Sequence, residues 1–168
     1  MAHASLRDYQ IALSERLQSA AAGTRVPGKL GLRVGGEAWL VDLREAGEVI
    51  PVPPLAPVPL ARSWFRGVAN VRGNLYSVSD LAALLGLPPI PLTDRARVLL
   101  VSERFRAGAA LLVEGSLGLR NPDELQLQDL PAGQRWVRAQ YLAADGQVWK
   151  ELDVSALIQD EAFLEVAL

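Results

Sequence analysis

Apolar and polar positions alternate in short runs along most of the chain, a period that predicts strands more often than helices. Lys29 to Val34 puts Leu30, Leu32 and Val34 on one face; Gly35-Gly36 is a two-residue hairpin signal, and Glu37 to Leu43 returns as a second strand. In that second run Trp39, Val41 and Leu43 share one face, with Ala38, Leu40 and Asp42 on the other. Arg97 to Ser102 and Ala107 to Val113 are apolar strands joined through Glu103-Arg104-Phe105-Arg106. Ser116 to Arg120 is a weaker strand, Asn121-Pro122-Asp123 a turn, and Leu125 with Leu127 a further short strand. Trp136 to Leu142 and Gln147 to Val154 flank Asp145-Gly146, the strongest hairpin signal in the chain.

Helical spacing is confined to three places. From Ser5 to Ala21 the residues Leu6, Tyr9, Leu13, Leu17 and Ala20 fall within about 80° of arc at about 100° per residue, an amphipathic stripe that packs on its own domain or docks on a partner. Leu81 to Leu85 is a short helix with Ser79 or Asp80 as its N-cap and Gly86 as its stop. Ser155 caps a last helix carrying Leu157, Ile158, Phe163 and Leu164. Many short strands, tight turns and few helices make an all-β protein, a pair of barrels decorated by terminal helices.

Two proline-dense segments punctuate the pattern. Prolines 51, 53, 54, 57 and 59 remove amide donors and hold the chain near polyproline geometry, as a stiff surface connection or, alternatively, a ligand for an SH3 or WW domain. Pro88, Pro89 and Pro91 form a second stiff connection, near residues 86–94, expected to separate two intertwined subdomains. The expected organisation is residues 1–27 as N-terminal helix and linker, and 28–168 as one domain built from those subdomains.

The most informative stretch runs from Trp64 to Leu81. Gly67 and Gly73 bracket a run with Val68 and Val71 apolar and Asn70 and Arg72 polar, which predicts a bulged or sharply turned β segment. In an extended chain Asn70, Arg72 and Asn74 share one face, either a solvated strand face or a site bearing one guanidinium.

Composition narrows the field. Half of the 168 residues are hydrophobic and 21% are charged, a globular balance with enough chain for one real core. Net charge is −2 with no basic block, which argues against nucleic acid as partner; Arg62, Trp64, Phe65 and Arg66 are the only local hint of such a face. No apolar run reaches bilayer-spanning length, and Met1 to Arg16 is charged where a signal peptide is apolar, so a cytoplasmic protein without membrane insertion is expected. There is no cysteine, and the single histidine, His3, sits near the terminus, so the usual nucleophile–base pairs and thiolate metal sites are nearly excluded. Gly31, Gly35 and Gly36 lack the spacing of a phosphate loop, and no cofactor is expected. A carboxylate pair assembled by folding, in a catalytic or ligand-binding barrel, stays open as the rival to a non-enzymatic reading.

Gly67-Val68-Ala69-Asn70-Val71-Arg72-Gly73, followed by Asp80-Leu81 and Leu84-Leu85-Gly86, resembles the signature of the CheW family of chemotaxis coupling proteins. The likeness extends over Gly47-Glu48-Val49-Ile50, Arg97 to Val113 and Val148 to Leu157, and covers about Lys29 to Leu157. The Gly67 to Arg72 variant and the ending Gln159 to Ala167 look closest to the PilI type, the branch serving the type IV pilus; a flagellar-type coupling protein is the alternative. Ser77 and Ser79 depart from the pattern, standing where the family has proline and an aliphatic residue. The resemblance implies two packed SH3-like five-stranded barrels. It also implies a role as adaptor between the cytoplasmic tip of a methyl-accepting chemoreceptor and the regulatory domain of a CheA-type histidine kinase, in control of twitching motility. Glu48 and Arg72, matched to the family's glutamate and arginine, are then receptor-binding and able to pair with each other. Asn70, Val49 and Val71 join them as candidates, with Val68 and Val78 as further apolar lining, while no motif assigns kinase-contacting residues.

Overall fold

A computed structural model describes residues 10, 11, 13, 14 and 28–168. The first four of these are helical and exposed; the rest of the expected N-terminal helix lies outside the described residues.

Among the described residues, eleven strands form two sheets. The first contains β1 (Lys29–Val34), β2 (Glu37–Asp42), β8 (Gly115–Arg120), β9 (Gln126–Gln128), β10 (Val137–Leu142) and β11 (Val148–Leu152), in the order β8-β1-β2-β11-β10-β9. The second contains β3 (Ala46–Pro51), β4 (Phe65–Val71), β5 (Asn74–Asp80), β6 (Arg97–Val101) and β7 (Ala109–Val113), in the order β3-β6-β7-β5-β4. All neighbours are antiparallel except β2 with β11 and β5 with β7. The fold is the expected all-β pair of small barrels, the short β9 adding a sixth strand to the first sheet.

Both ends of the chain build the first sheet and its middle builds the second. The crossings between them fall at the turn after β2 and at Glu114. Residues 86–94 therefore do not divide two subdomains: they link helix α1 (Leu81–Leu84) to β6, on one sheet. The prolines do not make this segment a spacer, because Ile90 is buried and its amide donates to Asp80 Oδ2 at 2.8 Å.

The sheets share one core. Leu32, Val34, Trp39 and Val41 from the first meet Val78, Val98, Leu111 and Leu112 from the second, and Trp136 and Phe163 close the margin. A smaller cluster of Ala38, Leu40 and Trp149 fills the inside of the first sheet, so β2 is buried on both faces. Its last expected member, Leu43, falls in the turn beyond and is exposed.

A charged network sits against this second cluster. Lys29 Nζ lies 3.2 Å from Asp42 Oδ2 and 2.9 Å from Glu151 Oε1. Arg138 spans Glu45 Oε1 at 2.8 Å and Asp153 Oδ1 at 3.0 Å. Glu45 also accepts the Ser155 amide at 3.1 Å, tying the crossing between sheets to helix α2 (Val154–Gln159). The N-cap of α2 is Asp153, whose Oδ1 accepts from Ala156, and not Ser155 as the sequence predicts. The carboxylate starts the helix two residues sooner. Asp160 then caps a separate helix, α3 (Glu161–Leu164).

Candidate functional site

The Trp64–Leu81 stretch is the β4–β5 hairpin running into α1. Its tip is the two-residue loop Arg72-Gly73, with Val71 opposite Asn74. Both loop residues have positive φ, +52° and +87°, the mirror-image geometry whose twist matches antiparallel strands. Asn70 Oδ1 accepts the Gly73 amide at 2.9 Å and holds the loop. The expected polar strand face is thus a turn: Asn70 folds onto its own backbone, and Arg72 stands at the tip.

Gly67 explains the other end of the motif. The proline segment brings Ala56 against Val68, with both main-chain hydrogen bonds at 2.9 Å. A Cβ at Gly67, where φ is +124°, falls 2.4 Å from the Ala56 carbonyl oxygen. Only glycine admits this approach. Since β3 and β4 are the two edges of the second sheet, Ala56 closes it into a ring, and the proline segment is more than a surface connection.

The same two edges are clipped by side chains. The register of β3 slips between Ala46 and Val49, a bulge that leaves Glu48 exposed. Both carboxylate oxygens of Glu48 accept from the guanidinium of Arg72, Oε1 from Nη1 at 3.4 Å and Oε2 from Nη2. Hydrogen bonding from Arg72 lowers the Glu48 pKa, and the bond to Glu48 raises that of Arg72, so the pair is fully charged at neutral pH. The Arg72 and Glu48 side chains keep 68% and 48% of their surface exposed, enough for a partner to reach either group.

The apolar candidates divide. Val49 and Val71 are half-buried and lean on the main core, Val68 is half-buried beside Ala56, and Val78 is fully buried. Val78 is therefore core and lines no groove. Leu75, paired across the hairpin with Asn70 and 68% exposed, is the apolar side chain the tip presents, and sequence reading missed it. The signal was its place as the second residue of β5, just past the Arg72-Gly73 turn, where a strand's outer face begins.

Asp80 anchors the base of the hairpin. It is fully buried and caps α1 through Oδ1 to the Ala83 amide at 3.0 Å. Its Oδ2 faces Arg66 Nη1 at 3.3 Å, and Arg66 donates also to the Ile90 carbonyl at 3.2 Å. Trp64 stacks on Phe163 with ring centroids 6.2 Å apart and meets Phe65 edge-on, so this aromatic pair packs within the protein.

Among the described residues, no group of three or more His, Asp or Glu has the arrangement of a metal site. Two sheets on one core, one of them closed through Ala56, present an exposed ion pair and a hairpin tip. The chain belongs to the CheW-like family, whose domain matches residues 29–162. Protein PilI of Pseudomonas aeruginosa is 33% identical over 144 residues, 83% of this chain and 79% of that one. Chemotaxis protein CheW of Thermotoga maritima is 24% identical, covering 78% of this chain and 87% of its own. The scaffolding protein TtCheW of Thermoanaerobacter tengcongensis superposes with a TM-score of 0.68 at 15% identity, over 83% of this chain and 97% of that one, a match of fold. The chain is accordingly a CheW-like coupling adaptor by family.

Proposed function

We propose that this adaptor couples the cytoplasmic tip of a methyl-accepting chemoreceptor to a CheA-type histidine kinase and so controls type IV pilus twitching motility. The observation that carries the reading is the Glu48–Arg72 clip, charged, exposed and held by a bulge on one strand and a two-residue turn on another. A solvated pair of this kind contributes little to stability. What it supplies is orientation: a bidentate guanidinium–carboxylate contact fixes the angle between two elements and presents spare donors and acceptors. The likeness to PilI supports the pilus assignment.

In this mechanism the receptor tip docks on Glu48, Arg72 and Asn70, with Val49 and Val71 backing the contact from the core margin. A different surface holds the kinase regulatory domain. The adaptor transmits receptor state by contacts that differ between signalling states. No helix among the described residues is long and apolar enough to cross a membrane, and the proposed partners place the adaptor in the cytoplasm. The test is capture of receptor and kinase from a twitching strain by wild type and by Arg72→Ala, with twitching and swimming scored in the deletion strain. The reading expects kinase retained, receptor lost, and twitching alone impaired. Unchanged receptor capture by the variant removes the clip from the mechanism, and a swimming defect alone moves the protein to the flagellar system.

A further inference from the structure

Among the described residues, six arginines face a carboxylate. Arg44 faces Asp42, Arg62 faces Glu165, Arg66 faces Asp80, Arg72 faces Glu48, Arg135 faces Asp160, and Arg138 faces Glu45. Arg33, Arg95, Arg97, Arg104, Arg106 and Arg120 have no such partner among the described residues, and of these Arg33, Arg95 and Arg97 converge on one cleft of about 470 Å³ where the two sheets meet. The cleft lies between the end of β1, the segment leading into β6, and the start of β8.

The hydrogen bonds these guanidiniums make do not neutralise them. Arg33 Nη1 donates to the Gly36 carbonyl at 3.0 Å, and Arg97 Nη1 donates to the carbonyls of Asp94 and Ala96, both at 2.8 Å. Arg95 makes no side-chain hydrogen bond among the described residues. The one carboxylate lining the cleft, Glu114, is engaged by the Gly36 amide at 2.9 Å. Three positive groups against one negative, in a chain of net charge −2, is a local excess that folding has not used.

We propose that this cleft docks a carboxylate-rich, extended segment of a partner protein, at a surface separate from the Glu48–Arg72 clip. Each guanidinium fork matches a carboxylate through two parallel hydrogen bonds. The three arginines come from β1, the loop before β6, and β6 itself, a spread that suits several carboxylates along a chain better than one small anion. Pro91 and Leu117 offer apolar surface to the stems of acidic side chains. The cleft's β8 wall belongs to an edge strand whose outer main-chain groups have no strand partner among the described residues, so an extended segment can add to it.

The experiment titrates the intact protein into a fluorescein-labelled hexaglutamate peptide, read by anisotropy at low ionic strength. Binding is expected, weakening as salt rises. Arg33→Glu with Arg95→Glu is expected to lower affinity by about tenfold or more, since of the three arginines only Arg97 is left in the cleft to donate to the peptide's carboxylates, beside two new negative charges. Arg104→Glu with Arg106→Glu, which changes net charge equally at a distant exposed turn, leaves affinity within about twofold if the site is local. Melting curves confirm that both variants fold. Equal loss in the two variants, or loss in neither, overturns the proposal. Displacement of the peptide by inorganic phosphate at submillimolar concentration assigns the cleft to a free anion instead, and overturns it as well. Salt-sensitive self-association abolished by Arg33→Glu/Arg95→Glu, without peptide binding, gives the cleft to a second copy, with the same consequence.

Discussion

Two ionic assemblies in this molecule use the same side-chain chemistry for opposite ends. Around Glu45, Glu151 and Arg138 the charges lie inside the fold, with the two carboxylates 3% exposed and several partners each. At Glu48 and Arg72 there is one carboxylate or guanidinium partner apiece, and about half or more of each side chain is open to solvent. Buried charge must be matched because the interior cannot solvate it, so the first assembly fixes how the sheets join. Exposed charge is satisfied by water in any case, so the second is free to be read by another protein. The contrast separates what the fold needs from what the adaptor offers.

Breaking the buried side should give the largest effect. Glu45→Ala takes the acceptor from the Ser155 amide and leaves Arg138 with Asp153 and Glu151, and is expected to cost about 3 kcal/mol, the low end for a broken buried pair because Arg138 is partly solvated and keeps two partners. Urea denaturation measures it, and a cost no larger than that of a surface substitution would show the network to be ornamental. Next comes Gly67→Ala, which drives a methyl group into the Ala56 carbonyl at a positive φ and is expected to cost about 2 kcal/mol. The same substitution at Gly73, where a Cβ meets nothing within 4 Å, should cost less. Equal costs at the two glycines would mean that ring closure through Ala56 does not matter.

The comparison sharpens with pH. Hydrogen bonding from Arg44, working against burial and aided by Lys29, holds the Asp42 carboxyl well below its usual range. The native state then resists protonation that the unfolded chain accepts. Asp42 contributes stability that is complete above the ordinary carboxylate value of 3.8 and drains away as pH falls through the lower native one. Burial opposes the charge on Lys29, but Glu151 and Asp42 together outweigh it and raise its pKa above 10.5. That contribution is complete below 10.5 and is lost as pH climbs through the raised native value. Urea midpoints should be flat between about pH 5 and 10 and fall on both sides. Asp42→Asn should flatten the acid limb, and an unaltered limb would assign acid unfolding to other carboxylates.

The sequence and the structure agree where the signal is local. Gly35-Gly36 and Asp145-Gly146 turn the hairpins expected of them, and Asp80 caps the helix it precedes. Disagreement begins where the cause lies far along the chain. Gly67 is visible as a glycine, but the carbonyl that requires it belongs to Ala56, and no spacing rule joins the two. Arg72 occupies a left-handed position that arginine seldom adopts, so alternation placed it on a strand face. Residues 86–94 looked like a boundary because prolines resemble linkers; the buried Ile90 inside them carries the contrary information. The charged network is drawn from positions 29, 42, 45, 138, 151 and 153, which only the pairing of β2 with β11 brings together. Family and fold were legible because the compact Gly67–Gly73 motif carries the resemblance, and the Glu48–Arg72 pairing because the same resemblance matches Glu48 upstream of it; the partner surface remains the proposal.

The smallest expected effect on stability belongs to the clip itself. Arg72→Ala should leave the melting curve almost unmoved, since water replaces the guanidinium around an exposed Glu48. The decisive measurement is receptor affinity for Arg72→Ala and for the reversed pair Glu48→Arg with Arg72→Glu, each beside its melting temperature. Reversal restores a salt bridge with the wrong polarity toward any partner. The account predicts near wild-type melting and lost receptor binding for both variants. Receptor affinity recovered by the reversed pair, in step with recovered melting temperature, would show the clip to be a structural tie and contradict the account.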